Sequence, residues 1–283
     1  MNAGFIGLGA LGHTIARRMI EQGVTLTVWN RTAGKAADLD ARTAASPAAL
    51  AREVPLVFLC LRDSPAVEAV LDGPEGLLSV GRVDRLIVDL STNHFEPVVR
   101  FHAMVRQTGG AYLEAPVLGS VIPASQGKLT TLVSGAADAL AAARPFLERF
   151  CQRIFALGEP GRATKMKLVN NLVLGSLMAT LAEALVLGEA IGLEKAQVLE
   201  ILAAGAGNSA VLQGKMQKLL AEDFSPHFSA GLIDKDLRCL QDLARTLDRP
   251  LRTGLAPQQI FARALEQRRG DEDFSVAYAI LKG

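Results

Sequence analysis

The sequence predicts an α/β protein in which a doubly wound parallel sheet is followed by an all-α domain with a long interdomain helix. Up to about residue 160, short β-rich apolar runs alternate with helical patterns, which is the rhythm of a parallel sheet covered by helices. After Gly158, Pro160 and Gly161 no further strand pattern follows. We therefore expect one domain over residues 1–161 and a helical domain over 162–283.

Seven strands are predicted in the first domain, separated by helices such as 9–22 and 136–150. The continuous apolar run 56–61 is typical of a central strand that is buried on both faces. The predicted strands are 3–6, 26–29, 56–61, 86–89, 112–114, 129–134 and 153–156.

The second domain is predicted to begin with a helix over about 163–191, which contains no proline and ends at Gly192. The helices expected after it are 195–204, 209–221, 231–247, 255–267 and 276–281.

Charge and composition narrow the classes of partner. The 283 residues carry 30 Lys plus Arg and 29 Asp plus Glu, a net charge of +1, which argues against nucleic acid. Mean hydropathy is +0.24, but the longest apolar run, 172–182, is broken by polar residues and is shorter than the roughly 20 residues of a membrane span. We expect no membrane partner.

The first residues and the cysteines bear on the compartment. No signal-peptide pattern opens the chain. Cys60, Cys151 and Cys239 are widely spaced in apolar surroundings, as in reduced core residues, so we expect a cytoplasmic protein. The four histidines lack metal-site spacing, and no metal is expected.

A glycine motif follows the first predicted strand. Gly7, Gly9 and Gly12 form G-x-G-x-x-G between a strand and a helix, where glycine allows a tight turn and a close approach to a pyrophosphate. A glycine-rich turn that binds nothing is the alternative, but the strand and helix on either side favour a Rossmann-type dinucleotide site. The predicted cradle is Gly7, Leu8, Gly9, Ala10, Leu11 and Gly12.

The residues after the second strand favour NADP(H) over NAD(H). An NAD site usually has a carboxylate there for the ribose hydroxyls, whereas this chain has Asn30, Arg31 and Thr32. The Arg31 guanidinium can pair with a 2′-phosphate and Thr32 can donate a hydroxyl. The alternative is that Arg31 is a solvated loop residue.

Polar residues also lie near the start of the long predicted helix. Lys167, Asn170 and Asn171 are spaced i, i+3 and i+4 on one face that is otherwise apolar, so partial burial is expected. Burial would lower the pKa of a lysine toward the range that is useful for proton transfer. From spacing alone, a lysine that reaches solvent beside capping asparagines is equally compatible.

Together these motifs resemble the β-hydroxyacid dehydrogenase family, which includes 3-hydroxyisobutyrate dehydrogenase and the glyoxylate/succinic semialdehyde reductases. The likeness covers essentially the whole chain. Its five segments occur in order: the glycine motif, Ser91 with Thr92, the 115–117 loop, Lys167 with Asn171, and Lys235 with Asp236.

The resemblance implies a role for each matched residue. Lys167 would be the general acid or base, and Asn171 would orient the substrate, a small β-hydroxy acid or its semialdehyde. The further residues that it implies for substrate are Ser91, Thr92, Leu118, Gly119, Ser120, Asn170 and Lys235. Those that it implies for the cofactor, beyond the cradle and residues 30–32, are Leu61, Arg62, Thr92 and Lys235.

One residue departs from the family pattern. Many members have serine after Ala-Pro-Val, whereas this chain has Leu118, which cannot donate a hydrogen bond to a carboxylate. The anion would then depend on backbone N–H groups, on Ser120 or on cations, or the natural substrate is not a small hydroxy acid.

Two alternatives stay open. An imine reductase shares the fold and glycine motif, although such enzymes usually lack the lysine. A catalytically silent NADP-binding module is the other, and we expect it less because no fused regulatory segment accompanies the motifs here. By resemblance we expect a homodimer or homotetramer.

Overall fold

The computed structural model describes residues 1–81 and 84–283. These residues form two compact units, Met1–Lys167 and Leu168–Gly283. The first unit contains the sheet and the second is helical.

The first unit alternates strands and helices. Its strands are β1 (Asn2–Ile6), β2 (Thr25–Trp29), β3 (Arg42–Thr43), β4 (Leu56–Leu59), β5 (Leu86–Asp89), β6 (Ala111–Glu114), β7 (Val117–Leu118), β8 (Leu129–Ser134) and β9 (Cys151–Gly158). Its helices are α1 (Ala10–Glu21), α2 (Pro47–Glu53), α3 (Ser64–Asp72), α4 (Phe95–Gln107), α5 (Val121–Ser125), α6 (Ala137–Leu147) and the first turns of α7 (Arg162–Ala190).

The strands form one mostly parallel sheet in the order β3-β2-β1-β4-β5-β6-β8-β7, with β9 paired to β8. Its first six strands have the strand order of a dinucleotide-binding Rossmann sheet, which confirms the predicted fold class. The sheet departs from fully parallel at β8, which runs antiparallel to β6 and β7. In parallel strands all carboxyl ends lie at one edge, so the segments after β1, β2, β4, β5 and β6 share that edge.

Alternating residues of the central strand pack on opposite faces of the sheet. Phe58 stacks on Phe5, with ring centroids 6.2 Å apart, and meets Phe150 edge-on in the core that α1 and α6 cover. Val57 and Leu59 belong to the core on the other face. The predicted burial of this strand on both faces is confirmed, and it supports the site-bearing edge on a rigid base.

The second unit continues α7 and adds α8 (Lys195–Ala204), α9 (Ala210–Ala221), α10 (Ala230–Thr246), α11 (Leu255–Glu266), a 3-10 helix (Phe274–Val276) and α12 (Ala277–Lys282). Each α-helix lies within one or two residues of its predicted bounds, whereas the 3-10 helix was not predicted. Residues 168–283 contain no strand, apart from an isolated bridge between Ser229 and Asp273.

Helix α7 corrects one expectation. Its most apolar 18-residue window has a mean hydropathy of 1.6, so by length and composition it is apolar enough to cross a membrane, and the argument from run length is wrong for it. Within the structure 39% of that window is buried, and a core helix passes the same test. One such helix is therefore weak evidence for a membrane segment.

Candidate functional site

The glycine loop after β1 is shaped by two close backbone contacts. Gly7 has φ +100°, and a Cβ placed on it would lie 2.3 Å from the carbonyl oxygen of Cys60. A Cβ on Gly12 would lie 2.0 Å from the carbonyl oxygen of Gly7. Both positions require glycine so that the chain can turn tightly between the strand and the helix.

Gly9 differs because the protein leaves the space beside it open. A Cβ at Gly9 would meet nothing within 4 Å, and Gly9 and Ala10 are exposed. Helix α1 begins there with no hydrogen bond from a capping side chain. An open space beside an uncapped helix N-terminus suits a phosphate group, so the loop that spans Leu8 and Leu11 fits a dinucleotide.

Asn30, which follows β2, ties the glycine loop to its neighbour. Its Oδ1 accepts a hydrogen bond from the Leu8 N–H at 2.9 Å, and its Nδ2 donates to the Thr32 carbonyl at 3.0 Å. Arg31 and Thr32 are exposed beside it. This edge of the sheet therefore offers a guanidinium and a hydroxyl where an NAD site usually has a carboxylate.

The loops after β4 and β5 are held together by a serine. The Oγ of Ser91 accepts a hydrogen bond from the Leu61 N–H at 2.8 Å, and the Ser91 N–H donates to Asp89 Oδ1 at 2.9 Å. Arg62 is exposed and Thr92 is half-buried on these loops. Ser91 thus holds the loop that carries Leu61; its predicted substrate contact stays a prediction.

Asp89 is a buried residue of this site that sequence reasoning missed. Its carboxylate is 1% exposed and also accepts hydrogen bonds from Asn93 Nδ2 at 2.7 Å and the Tyr112 hydroxyl at 2.5 Å. Burial raises the pKa of Asp89, although hydrogen bonds from Ser91, Tyr112 and Asn93 oppose the rise. The signal was an acidic residue that ends an apolar strand.

Lys167 lies on α7, and its side chain contacts the segment that follows β6. It is 7% exposed, and its Nζ donates a hydrogen bond to the Val117 carbonyl at 2.9 Å. The Thr131 hydroxyl donates to the Ala115 carbonyl of the same loop at 2.9 Å. The expected burial of Lys167 is observed, and the loop that the resemblance assigns to substrate fixes the direction of its ammonium group.

The rest of that loop contains the other residues expected at the substrate. Leu118 is half-buried and pairs with Thr130 of β8, and Gly119 adopts φ +111°. Ser120 is the N-cap residue of α5 but makes no capping hydrogen bond with its side chain. A contact between these three residues and substrate stays a prediction.

In the second unit, Asp236 holds Asn171 and Lys235. Asn171 is fully buried and its Nδ2 donates to Asp236 Oδ2 at 2.6 Å, while its Oδ1 accepts from Asn170 Nδ2 at 3.2 Å. The Nζ of Lys235 lies 2.7 Å from Asp236 Oδ1. Asp236 itself is 1% exposed, so one buried carboxylate orients an amide and an ammonium that the resemblance assigns to the site.

Comparison with known proteins identifies the family. The model for the NAD binding domain of 6-phosphogluconate dehydrogenase matches residues 2–158, and the model for the NAD-binding of NADP-dependent 3-hydroxyisobutyrate dehydrogenase matches residues 161–281. The glyoxylate/succinic semialdehyde reductase 2 of Arabidopsis thaliana is 31% identical over all of this chain and 80% of its own length. The chain belongs to the β-hydroxyacid dehydrogenase family.

Within the β-hydroxyacid dehydrogenase family the relatives differ in what they are named for. The cytokine-like nuclear factor N-PAC of Mus musculus is 34% identical over 97% of this chain. The chain spans about half the length of such relatives, 50% in this case. A solved structure of Psf3 in complex with NADP+ and 2-OPP is 31% identical, with a TM-score of 0.92 over 99% of both chains.

Proposed function

We propose that this chain is an NADP(H)-dependent oxidoreductase that interconverts a small β-hydroxy acid and its semialdehyde, with Lys167 as the general acid and base. The observation that carries the proposal is the buried Lys167 ammonium, directed by the Val117 carbonyl. A protein seldom buries a lysine without a partner or a use, because the charge loses its hydration.

Lys167 handles the proton in this mechanism. When bound, NADPH would supply the hydride for reduction of the substrate carbonyl. As the carbonyl electron pair moves onto oxygen, the Lys167 ammonium donates a proton to that oxygen and the alcohol forms. In the oxidative direction the neutral amine of Lys167 removes the hydroxyl proton. Positioned general acids of this kind contribute about 10²- to 10⁴-fold to a rate.

The preference for NADP(H) rests on the end of β2. Arg31 and Thr32 are exposed there, and Asn30 is occupied by backbone contacts to Leu8 and Thr32. We expect Arg31 to pair with the 2′-phosphate, as NADP sites do with arginine. The dissociation constants for NADPH and NADH test this preference, and tighter NADH binding would contradict it. Arg31→Ala should weaken the binding of NADPH and leave the binding of NADH unchanged.

The substrate carboxylate is proposed to lie at Gly119 and Ser120, with Leu118 lining the pocket. Because leucine donates no hydrogen bond, Leu118→Ser adds a donor without removing any. We expect a lower KM for short semialdehydes in that variant. An unchanged KM would place the side chain away from the substrate.

A second candidate is a module that binds the dinucleotide without turnover. The 34% identity to a protein named as a nuclear factor favours it. In a module without turnover the buried Lys167 would have no role in proton transfer, so we place this candidate second. NADPH binding without turnover of any substrate below would support it.

The experiment for the main proposal is a turnover screen with both cofactors. Its substrates are glyoxylate, succinic semialdehyde, methylmalonate semialdehyde, tartronate semialdehyde and a cyclic imine. We expect turnover of at least one semialdehyde with NADPH; reduction of the imine alone would favour an imine reductase. Light scattering on the same sample tests the proposed homodimer or homotetramer, which a monomer would contradict.

A further inference from the structure

Glu114, the last residue of β6, is a buried carboxylate that the proposed mechanism does not use. Its side chain is 1% exposed. One oxygen, Oε1, accepts a hydrogen bond from the Gly161 N–H and lies 3.1 Å from His102 Nε2. The other, Oε2, accepts from the Thr164 N–H at 2.9 Å. These three partners all lie in the first unit.

These N–H groups belong to the start of α7. The first N–H groups of any helix have no partner within the helix, so a buried helix start needs acceptors from elsewhere. Glu114 accepts that of Thr164 together with the Gly161 N–H just before the helix, and Ser134 Oγ at the end of β8 accepts that of Ala163 at 2.9 Å. The ends of two strands therefore fix the first turn of α7 to the sheet.

The same helical segment is tied a second time to the same loop. Lys167 follows Thr164 by three residues, and Val117, whose carbonyl accepts from Lys167 Nζ, follows Glu114 by three residues. Residues 114–117 thus contact α7 twice: the Glu114 carboxylate accepts from the Thr164 N–H, and the Val117 carbonyl accepts from Lys167 Nζ. A shift of the first turn along its axis would move the base of the Lys167 side chain with it.

One aromatic neighbour, His102, contacts the Glu114 side chain. The His102 ring, whose Nε2 faces Oε1, lies edge-on to Tyr112 with ring centroids 4.8 Å apart. Tyr112 is in turn bound to Asp89. Both oxygens of the Glu114 carboxylate therefore have partners, which fixes its place relative to the start of α7.

We infer that Glu114 is a positioning residue for the reaction, which sets the place of the Lys167 ammonium by capping α7. The inference rests on the proposed role of Lys167. A displacement of about 1 Å at a reacting group can cost on the order of 100-fold in rate, so a cap on the lysine's own helix has kinetic consequences.

Glu114→Gln is the test, because the amide replaces one accepting oxygen by an NH₂ group that cannot accept from a backbone N–H. We expect kcat to fall about 10-fold or more, with the NADPH dissociation constant and KM within about threefold of wild type. Hydrogen exchange of the 161–164 amides should become faster. Glu114→Asp, which keeps both oxygens, should recover part of the lost kcat.

Glu159→Gln is the matched control. Glu159 is an exposed carboxylate near the same helix start and is paired with Arg162 at 2.9 Å, so its loss should leave kcat and exchange unchanged. If Glu114→Gln does not fold, Ser134→Ala serves instead, because it removes the acceptor of the Ala163 N–H alone; a threefold or larger loss of kcat is expected.

The outcomes distinguish a failure of the positioning role of Glu114 from a failure of the proposed role of Lys167. Faster exchange at 161–164 with kcat within twofold of wild type would overturn the positioning role, as would an unchanged kcat in Ser134→Ala when Glu114→Gln is unfolded. No recovery in Glu114→Asp would also count against it. Wild-type turnover in Lys167→Met would instead contradict the proposed role of Lys167 as the proton donor. The effect of Glu114→Gln on hydrogen exchange at 161–164 would not depend on that result.

Discussion

Replacing Asp89 by asparagine should weaken both the sheet edge and dinucleotide binding. Asp89 Oδ1 accepts from the Ser91 N–H, and Oδ2 accepts from Asn93 and Tyr112. Asparagine has a single accepting oxygen, so one or two of these bonds are lost, depending on which way the amide faces.

The magnitude follows from the kind of bond. A hydrogen bond to a charged group contributes about 1.5–3 kcal/mol, so the gross loss of free energy of unfolding is about 1.5–6 kcal/mol. The variant no longer buries a carboxylate whose pKa is raised by burial, which offsets part of the loss. We expect a net loss of about 2 kcal/mol. Because Ser91 Oγ holds the Leu61 N–H, we also expect the NADPH dissociation constant to rise about 10-fold.

The assay has a built-in reporter. The single tryptophan, Trp29, ends β2 in the first unit, so its fluorescence during urea denaturation follows that unit. Tyr112→Phe is the control: it removes one donor to Asp89 but leaves Ser91 in place, and NADPH binding should stay within twofold of wild type. The reasoning is refuted if Asp89→Asn binds NADPH and unfolds like wild type. It is also refuted if Tyr112→Phe weakens NADPH binding as much as Asp89→Asn does.

Three further predictions concern stability. Burial raises the pKa of the Cys151 thiol from 9.0 to about 12, so above pH 9 the folded state holds more protons than the unfolded chain and stability falls as pH rises. The free energy of unfolding of Cys151→Ala, measured in urea between pH 9 and 11, should fall less steeply with pH than that of wild type. The difference in slope should be up to about 1.4 kcal/mol per pH unit, and equal slopes would contradict the prediction. Asp273→Ala should cost about 3–5 kcal/mol in urea, because the fully buried carboxylate pairs with Lys215 at 2.8 Å; a loss below about 1 kcal/mol would disprove it. A double-mutant cycle between Asn171→Ala and Asp236→Ala should return a coupling of about 1.5–3 kcal/mol, and simple additivity would contradict the 2.6 Å bond.

Strands with a strong apolar pattern could be predicted and the shortest ones could not. The bounds of β5 and β8 match the prediction, because the three apolar residues of β5 and the five apolar or β-branched residues of β8 give a clear signal. β3 and β7 have two residues each, too few to show any period, and they were missed. β4 ends at Leu59 rather than at 61, because the Leu61 N–H is bound by the Ser91 side chain, a contact 30 residues away that the local sequence cannot reveal.

The same limit applies to the site. The helical spacing of Lys167 and Asn171 predicted their shared face and their burial, and both are buried. Their partners, the Val117 carbonyl and Asp236, lie 50 and 65 residues away and depend on tertiary packing. The sequence predicts Glu114 only as the last residue of the strand 112–114, since nothing local indicates that it caps a helix that begins 48 residues later.

The most direct test of the account is the turnover of Lys167→Met beside Lys165→Met. Lys165 lies two residues earlier on α7, with its Nζ 5.8 Å from the centre of the Phe95 ring, so it controls for the loss of a lysine from this helix. With the semialdehyde that the screen selects, we predict that Lys167→Met lowers kcat at least about 100-fold. Its NADPH dissociation constant should stay within threefold of wild type. The kcat of Lys165→Met should stay near wild type. A Lys167→Met variant with wild-type kcat would contradict the assignment of Lys167 as the proton donor.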